Sequence, residues 1–332
     1  MSDVILGLSG GVDSAVCAVL LKKRGFTVHG LYMDNADARA RDEAAAAAEA
    51  LGVDLRVADV KDELEERVCR PFAEAYLRGE TPNPCIVCNP SLKFRLLLEE
   101  AERRGAEFIA TGHYARAENG ALYKGRPAND QSYMLCRLRR EQLERCLFPL
   151  GAYEKTEVRA LAAEWGLAAA KKPDSMEICF IPDKDYVNWL SQRTELPPPG
   201  PLVFHGRVIG EHGGIVRCTV GQRIKGLYEG RKLYVSRIDP VENRIELALW
   251  EELFSTELLV RDFNWLCEEP RGEIEGTVRV RHTKWEEPRC TARVENGLVR
   301  IRCAEPVRAP APGQSAVLYD GERVLGGGFL TR

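Results

Sequence analysis

The chain has 332 residues, 45% of them apolar, with 47 basic and 50 acidic side chains and a net charge of −3. That length supports two or three domains with a substantial core, and the near-neutral charge excludes a globally basic nucleic-acid binder, so any such contact rests on local patches. No apolar stretch reaches membrane-spanning length, no signal-peptide pattern opens the chain, and eleven scattered cysteines point to reduced thiols in the cytoplasm rather than a disulfide framework.

Residues 4–8, VILGL, form a short apolar run suited to a buried strand. Ala15, Val16, Val19 and Leu20 give the next stretch a helical apolar face, with Cys17 among its core positions, and Gly25 ends it. Residues 26–33 read as a second strand, and strand, loop, helix, strand favours a parallel sheet. The loop between them is SGGVDS. Gly10 and Gly11 let the backbone approach an anion, Ser9 and Ser14 add hydroxyl donors, and the following helix presents N–H groups and the positive end of its dipole. A pyrophosphate fits there, which makes activation with ATP the first functional reading; a glycine-rich turn with capping serines is the bland one. The loop has neither the lysine of G-x-x-x-x-G-K-[ST] nor the spacing of G-x-G-x-x-G.

Further along, residues 37–51 predict an alanine-rich helix closed by Gly52, and residues 53–60 a strand. Residues 91–104 predict an amphipathic helix, residues 108–111 a short strand, and residues 156–166 a helix capped by Thr156. At residues 196–201 the stiff PPPGP breaks this alternation, and the chain beyond it is β-rich. Residues 232–249 give a hairpin signal around DPVEN, and alternation over residues 276–329 suggests a small antiparallel barrel or sandwich. The expected domains are an α/β ATP-binding domain over 1–195, a small β-rich central region over 196–250, and a C-terminal β-barrel over 251–332.

Residues 81–94, TPNPCIVCNPSLKF, carry three prolines and two asparagines, which place Cys85 and Cys88 on a loop leading into the helix at Ser91. Cys179 comes far along the chain in DSMEICF, after the acidic Asp174 and Glu177. A zinc half-site lacks the second C-x-x-C or histidine pair that would complete a tetrahedral set, and a thioredoxin-like pair belongs to a different strand context. On pattern alone Cys179, between Ile178 and Phe180, reads equally well as a core residue.

SGGVDS alone is similar to the pyrophosphate loop of the ATP pyrophosphatase, or PP-loop, group. SGGVDS, TPNPCIVCN followed by KF, ATGHYAR, DQSY, DSMEICF, the GQR of TVGQRIKGL, and APGQSAV with LGGG succeed one another in an order that resembles the tRNA-specific 2-thiouridylase family across residues 4–329. The resemblance implies a PP-loop parallel-sheet domain, a central β-rich domain that binds tRNA, and a C-terminal barrel. It also implies 2-thiolation of the wobble uridine of tRNA through an adenylated uridine, with ATP and Mg²⁺ as cofactors. Residue by residue it places Gly7, Leu8, Ser9, Gly10, Gly11, Val12, Asp13 and Ser14 on ATP, with Met33 and Gly112 at the adenosine. Cys179 would receive a persulfide, and Cys88 would act as nucleophile or resolving thiol. tRNA would be met by Asn83, Pro84, Cys85, His113, Asn129, Asp130, Gln131, Arg281, His282 and Gln314. Arg279, Arg281, His282 and Lys284 form a local basic cluster suited to phosphates, although a solvated strand face looks similar.

One departure matters: Cys85 stands where many family members carry aspartate, three residues before the nucleophile. Cys85, Cys88 and Cys179 could then hold a [4Fe-4S] cluster with one iron open to an exogenous sulfide. Both sulfur routes stay open, with a persulfide carrier, a cysteine desulfurase or sulfide as donor, and the ligand count of C-x-x-C plus a third matched cysteine favours the cluster. Two other functions compete: another PP-loop adenylating ligase, disfavoured by the cysteine segments, and a non-catalytic tRNA-binding protein, disfavoured by the intact loop.

Overall fold

A computed structural model describes residues 2–172, 178–181, 183–226, 230–282 and 287–331; Asp174, Glu177 and Lys284 lie outside the described residues. The chain forms two compact units. The first comprises Met1–Val68, Cys85–Met176 and Glu322–Leu325, and the second Cys69–Pro84, Glu177–Gly321 and Gly326–Arg332.

In chain order the first unit begins with β1 (Asp3–Gly7), α1 (Val12–Lys23), β2 (Thr27–Asp34), α2 (Ala38–Leu51), β3 (Asp54–Asp59) and α3 (Lys61–Leu64). The chain then passes through α4 (Arg70–Leu77) of the second unit and α5 (Pro84–Cys88) at the junction. It returns with α6 (Phe94–Arg104), β4 (Phe108–Ala110), the hairpin β5 (Ala115–Glu118) and β6 (Ala121–Lys124), α7 (Arg140–Glu144), β7 (Cys146–Leu147) and α8 (Lys155–Glu164). Strands β3-β2-β1-β4-β7 make one wholly parallel sheet. Val4, Ile5 and Leu6 are fully buried, because helices cover both faces of such a sheet and a continuous apolar run suits its middle strand. From β1 the chain builds β2 and β3 on one side and β4 and β7 on the other. The carboxyl ends of β1 and β4 therefore flank a topological switch point, where open α/β sheets bind ligands.

The predicted helix ends are largely as the residues dictate. Asp37 caps α2 by accepting from the Ala40 N–H at 3.0 Å, and Gly52 closes it at φ +58°. Two expectations are corrected. Glu154, not Thr156, caps α8, which starts one residue earlier than expected; the Glu157 carboxylate reaches back to accept the Glu154 N–H at 2.7 Å. The stretch expected as a loop is helical: α5 runs into a wide five-residue turn, Asn89–Lys93, and then into α6. Pro84 and Pro90 sit in the first turns of these pieces, where a missing N–H removes no helical bond.

The second unit adds α9 (Tyr186–Ser191) and two β structures. In the first, β8 (Gly200–Phe204), β9 (Arg207–His212), β10 (Tyr234–Asp239) and β11 (Arg244–Ala248) pair in the order β10-β11-β8-β9, with β11 and β8 parallel. In the second, β12 (Phe254–Trp265), β13 (Ile274–Arg279), β14 (Arg289–Glu295), β15 (Leu298–Arg308), β16 (Ser315–Asp320) and β17 (Arg323–Leu330) take the order β12-β15-β14-β13-β16-β17. Pairing of β12 with β17 closes six strands into a barrel, which leaves no free edge. The first residues of β17 belong to the first unit, where Arg323 pairs with Tyr123 of β6. Among the described residues, no helix is long and apolar enough to cross a membrane.

Candidate active site

The phosphate loop leaves β1 at Gly7 and enters α1 at Val12. Leu8 contributes backbone only, since its side chain is buried and its N–H donates to the Leu31 carbonyl at 3.0 Å. Gly10 sits at φ +74°, and a Cβ there would come within 2.8 Å of the Glu43 backbone in α2, so space and conformation both demand glycine. The serines set the loop's shape. Ser14 Oγ donates to the Gly11 carbonyl at 3.1 Å and accepts the Ser9 N–H at 3.2 Å, while the Gly11 N–H points at Ser9 Oγ, 3.4 Å away. The first-turn N–H groups of the twelve-residue α1 are left at the loop's mouth, aimed where phosphate oxygens would sit. Gly112, just past β4, presses on this loop: a Cβ on it would lie 3.0 Å from Asp13 Cβ. Met33 is half-buried near the end of β2.

Two lysines escaped the sequence reading. Lys155 Nζ, from the first residue of α8, lies 2.8 and 2.7 Å from the two carboxylate oxygens of Asp13, which also accepts the Tyr114 hydroxyl at 2.7 Å. Lys172 Nζ donates to the Gly10 carbonyl at 3.1 Å and to Glu43 at 2.9 Å, and that contact, with help from Arg39, holds the Glu43 carboxyl below its usual range. The signal that could have found them was the loop's own lack of a lysine. A triphosphate needs compensating cations, so they had to come from elsewhere in the chain.

The segment after β4 also reaches α6, the helix that follows the C-x-x-C turn. Thr111 Oγ1 and His113 Nδ1 are hydrogen-bonded at 2.8 Å, and the His113 ring stacks on Phe94 of α6 with centroids 5.9 Å apart. Burial, and then the charge of Lys93, push the His113 imidazole well below its ordinary range, so it is neutral at physiological pH. Within α5, Cys85 is exposed and Cys88 half-buried; three residues apart, they share one face of a single turn. Fully buried Ile86 anchors that turn, and three further bonds fix its exit: Asn89 Nδ2 to the Met134 carbonyl at 2.9 Å, Ser91 Oγ to the Val87 carbonyl at 2.6 Å, and Gln142 Nε2 to the Pro90 carbonyl at 3.0 Å. The two thiols suit two positions of an iron–sulfur cluster. Among the described residues, however, no group of three or more His, Cys, Asp or Glu side chains is placed to hold a metal ion.

The residues expected at tRNA make their own bonds. Asn129 Oδ1 accepts the Lys155 N–H at 3.1 Å, and Gln131 Oε1 accepts the Tyr114 N–H at 3.0 Å. Asp130 is buried and accepts from the Gly125 and Ser132 N–H groups and the Ser132 hydroxyl. In the second unit Asn83 is half-buried and Pro84 buried, just after a clamp on Thr81, whose N–H donates to the Pro312 carbonyl at 2.7 Å and whose carbonyl accepts Gln314 Nε2 at 2.8 Å. Arg281 donates to the Val220 and Ala309 carbonyls at 3.0 and 2.6 Å, Arg279 pairs with Glu287, and His282 is exposed. Cys179 is exposed, not a core residue; its neighbour Phe180 packs on Phe72 and Trp189, with ring centroids 5.5 and 5.2 Å apart.

A parallel sheet whose switch point carries a strand, SGGVDS and a helix N-terminus defines a PP-loop nucleotide domain of the ATP-pyrophosphatase type. Family models described as the tRNA methyl transferase HUP domain, the tRNA methyl transferase PRC-barrel domain and the aminomethyltransferase beta-barrel domain match residues 2–183, 196–248 and 255–330. The tRNA-specific 2-thiouridylase MnmA 2 of Thermoanaerobacter sp. (strain X514) is 41% identical, covering 99% of this chain and 98% of that protein. The tRNA-specific 2-thiouridylase MnmA of Rickettsia typhi (strain ATCC VR-144 / Wilmington) is 38% identical over 100% of this chain and 99% of its own length. The chain belongs to the tRNA-specific 2-thiouridylase family. A solved 4-thiouridine synthetase–RNA complex with bound ATP is 20% identical, with a TM-score of 0.38 over 57% of this chain and 50% of that one.

Proposed function

We propose that the protein uses ATP to replace the 2-oxygen of a tRNA wobble uridine with sulfur. The observation that carries this reading is the segment 111–114, which touches the phosphate loop through Gly112 and Tyr114 and stacks His113 on α6, the helix that comes after the C-x-x-C turn. The phosphate loop and the C-x-x-C turn that bears Cys88 thus belong to the same unit, which supports the reading.

The loop N–H groups, Lys155 and Lys172 hold the triphosphate while the uridine O2 attacks the α-phosphorus and pyrophosphate leaves. Asp13 is the loop carboxylate that would hold the Mg²⁺ accompanying the nucleotide, which would supply charge compensation for the departing pyrophosphate. Adenylation is needed because oxide is a poor leaving group at C2 and AMP a good one. Cys179 carries the sulfane sulfur as a persulfide; its outer sulfur adds to C2, and AMP departs with the former O2. Cys88 thiolate then attacks the Cys179 sulfur, the S–S electron pair passes to the sulfur on the base to give the thiocarbonyl, and a thiol reductant resets the resulting disulfide. Neutral His113 is suited to hydrogen-bond the target base without adding charge.

The test is nucleoside mass spectrometry of tRNA incubated with the protein, ATP, Mg²⁺ and a persulfide donor. The expected result is 2-thiouridine that needs ATP, with tRNA-dependent exchange between ATP and pyrophosphate. Exchange without tRNA, or no thiouridine from reduced active protein, would remove the proposal.

A further inference from the structure

We propose that the surface around Trp250 is a stacking site for an unpaired nucleotide of the RNA. This rests on the reading that the protein acts on tRNA, and it names a specific contact within and beside the central region, where that reading names no residue.

Trp250 opens the short turn Trp250–Leu253 between β11 and β12. The turn is pinned from beneath by buried Leu253, and Glu252 holds its start by accepting the Leu249 N–H at 2.6 Å while bonding to His205 at 2.9 Å. The indole is therefore presented, not merely loose, and it stays 43% exposed beside Phe254, which is 41% exposed. Both neighbouring rings meet it at steep angles, Tyr234 at 5.4 Å and Phe254 at 6.1 Å between centroids, so neither stacks flat on the indole. Arg308 covers one face with its guanidinium 4.0 Å from the ring centroid, and its Nη2 donates to the Gly221 carbonyl at 3.0 Å.

An open groove of about 400 Å³ lies here, lined by Arg231, Lys232, Tyr234, Leu249, Trp250 and Glu251. Among the described residues cations outnumber carboxylates: Arg231 and Lys232 are exposed and Arg308 lies behind the indole, against Glu251 in the lining and Glu252, whose carboxyl the Leu249 N–H, His205 and Arg231 hold below its usual range. Scattered exposed apolar residues need no explanation, but two adjoining aromatics rimmed by three cations are a specific combination. An aromatic face for a base and cations for the flanking phosphates is what single-stranded RNA requires. A duplex would offer the cations its phosphates and the indole nothing.

Binding of a labelled single-stranded RNA octamer and of whole tRNA to the full chain, followed by fluorescence anisotropy across a salt series, tests this. Trp250→Ala should weaken octamer binding roughly 5- to 150-fold, the loss of one stacked base, while Trp250→Phe should restore most of it. Replacing Arg231 and Lys232 together by alanine should lower the salt slope by about two. An RNA duplex should compete poorly. Octamer binding by a folded Trp250→Ala protein equal to that of the parent overturns the proposal, as does competition by polyglutamate as strong as by single-stranded RNA, which would mark a plain cationic patch. If the parent protein makes no thiouridine, the enzymatic reading fails; if it does and Trp250→Ala binds unchanged, only the stacking site fails.

Discussion

Lys155→Met is the sharpest test of the phosphate loop, because that residue entered from the geometry rather than from any motif. Its ammonium is held by both Asp13 oxygens at 2.8 and 2.7 Å, with the lysine side chain 18% and the aspartate 31% exposed. For folding, so accessible a pair is worth at most about 1 kcal/mol after screening. For the reaction the sum is larger. A hydrogen bond from a charged donor to a phosphate is worth about 1.5–3 kcal/mol. Its loss should lower kcat/KM for ATP roughly 10- to 150-fold, with thermal stability nearly unchanged. The assay is tRNA-dependent exchange between labelled pyrophosphate and ATP across a range of ATP concentrations. The combined Asp13→Asn, Lys155→Met protein should lose less than the product of the single losses, since the two groups act on each other. A kcat/KM within about threefold of the parent in Lys155→Met would show that the ammonium serves the fold alone.

Asp13→Ala and Ser9→Ala should abolish adenylation while leaving tRNA affinity nearly unchanged in a gel-shift titration, and substantial exchange at saturating ATP would refute the loop assignment. His113 has its folded-state pKa lowered, so as pH falls below about 6.5 the unfolded chain takes up the proton first and the native state loses stability. Denaturant titrations at pH 7 and pH 5 should therefore show a decline of at most about 1.4 kcal/mol per pH unit from this group, absent in His113→Gln; parallel pH profiles for the two proteins would contradict it. Arg281→Ala should cost about 1–3 kcal/mol of stability by stranding the Val220 and Ala309 carbonyls, with the salt dependence of tRNA binding preserved; a salt slope smaller by about one would make it a phosphate contact. Cys85→Asp should keep activity with a persulfide donor, whereas joint loss of activity and of about four irons from anaerobically reconstituted protein would establish the cluster route.

The strand–loop–helix of the phosphate loop was legible because its determinants are local in sequence. β1, the loop and α1 are contiguous, and the apolar run, the two glycines and the two serines each constrain one short stretch of backbone. Lys155 and Lys172 were not legible, since 142 and 162 residues separate them from the loop atoms they reach and nothing in their own neighbourhoods marks them. The C-x-x-C turn was misread for a different reason. Three prolines argue against a helix only when they fall in its interior, and here Pro84 and Pro90 stand in first turns, which composition alone does not reveal. The basic cluster is only partly in view: Arg279 meets Glu287, Arg281 donates to two neutral carbonyls and keeps its charge, His282 is exposed, and Lys284 lies outside the described residues.

The eleven cysteines are sorted by burial in a way that bears on sulfur chemistry without appeal to any motif. Cys17, Cys69, Cys136, Cys146, Cys218, Cys290 and Cys303 are buried. Desolvation pushes the Cys17 and Cys146 thiols well up and Cys136 to about 12, and thiols so raised hold almost no thiolate at neutral pH. A sulfur carrier needs the opposite: a sulfur that a donor can reach and that can ionise. Only Cys85, Cys88, Cys179 and Cys267 meet the first condition, and three of those four are the cysteines that the family resemblance selects. Cys267 lies between β12 and β13 of the barrel, with no second thiol within twenty residues of it in the chain. Exposure and motif are independent criteria, since one arises from packing and the other from residue order. Cys88 and Cys179 therefore stay accessible enough for the reaction proposed for them, while the seven buried thiols serve as small apolar residues in the cores.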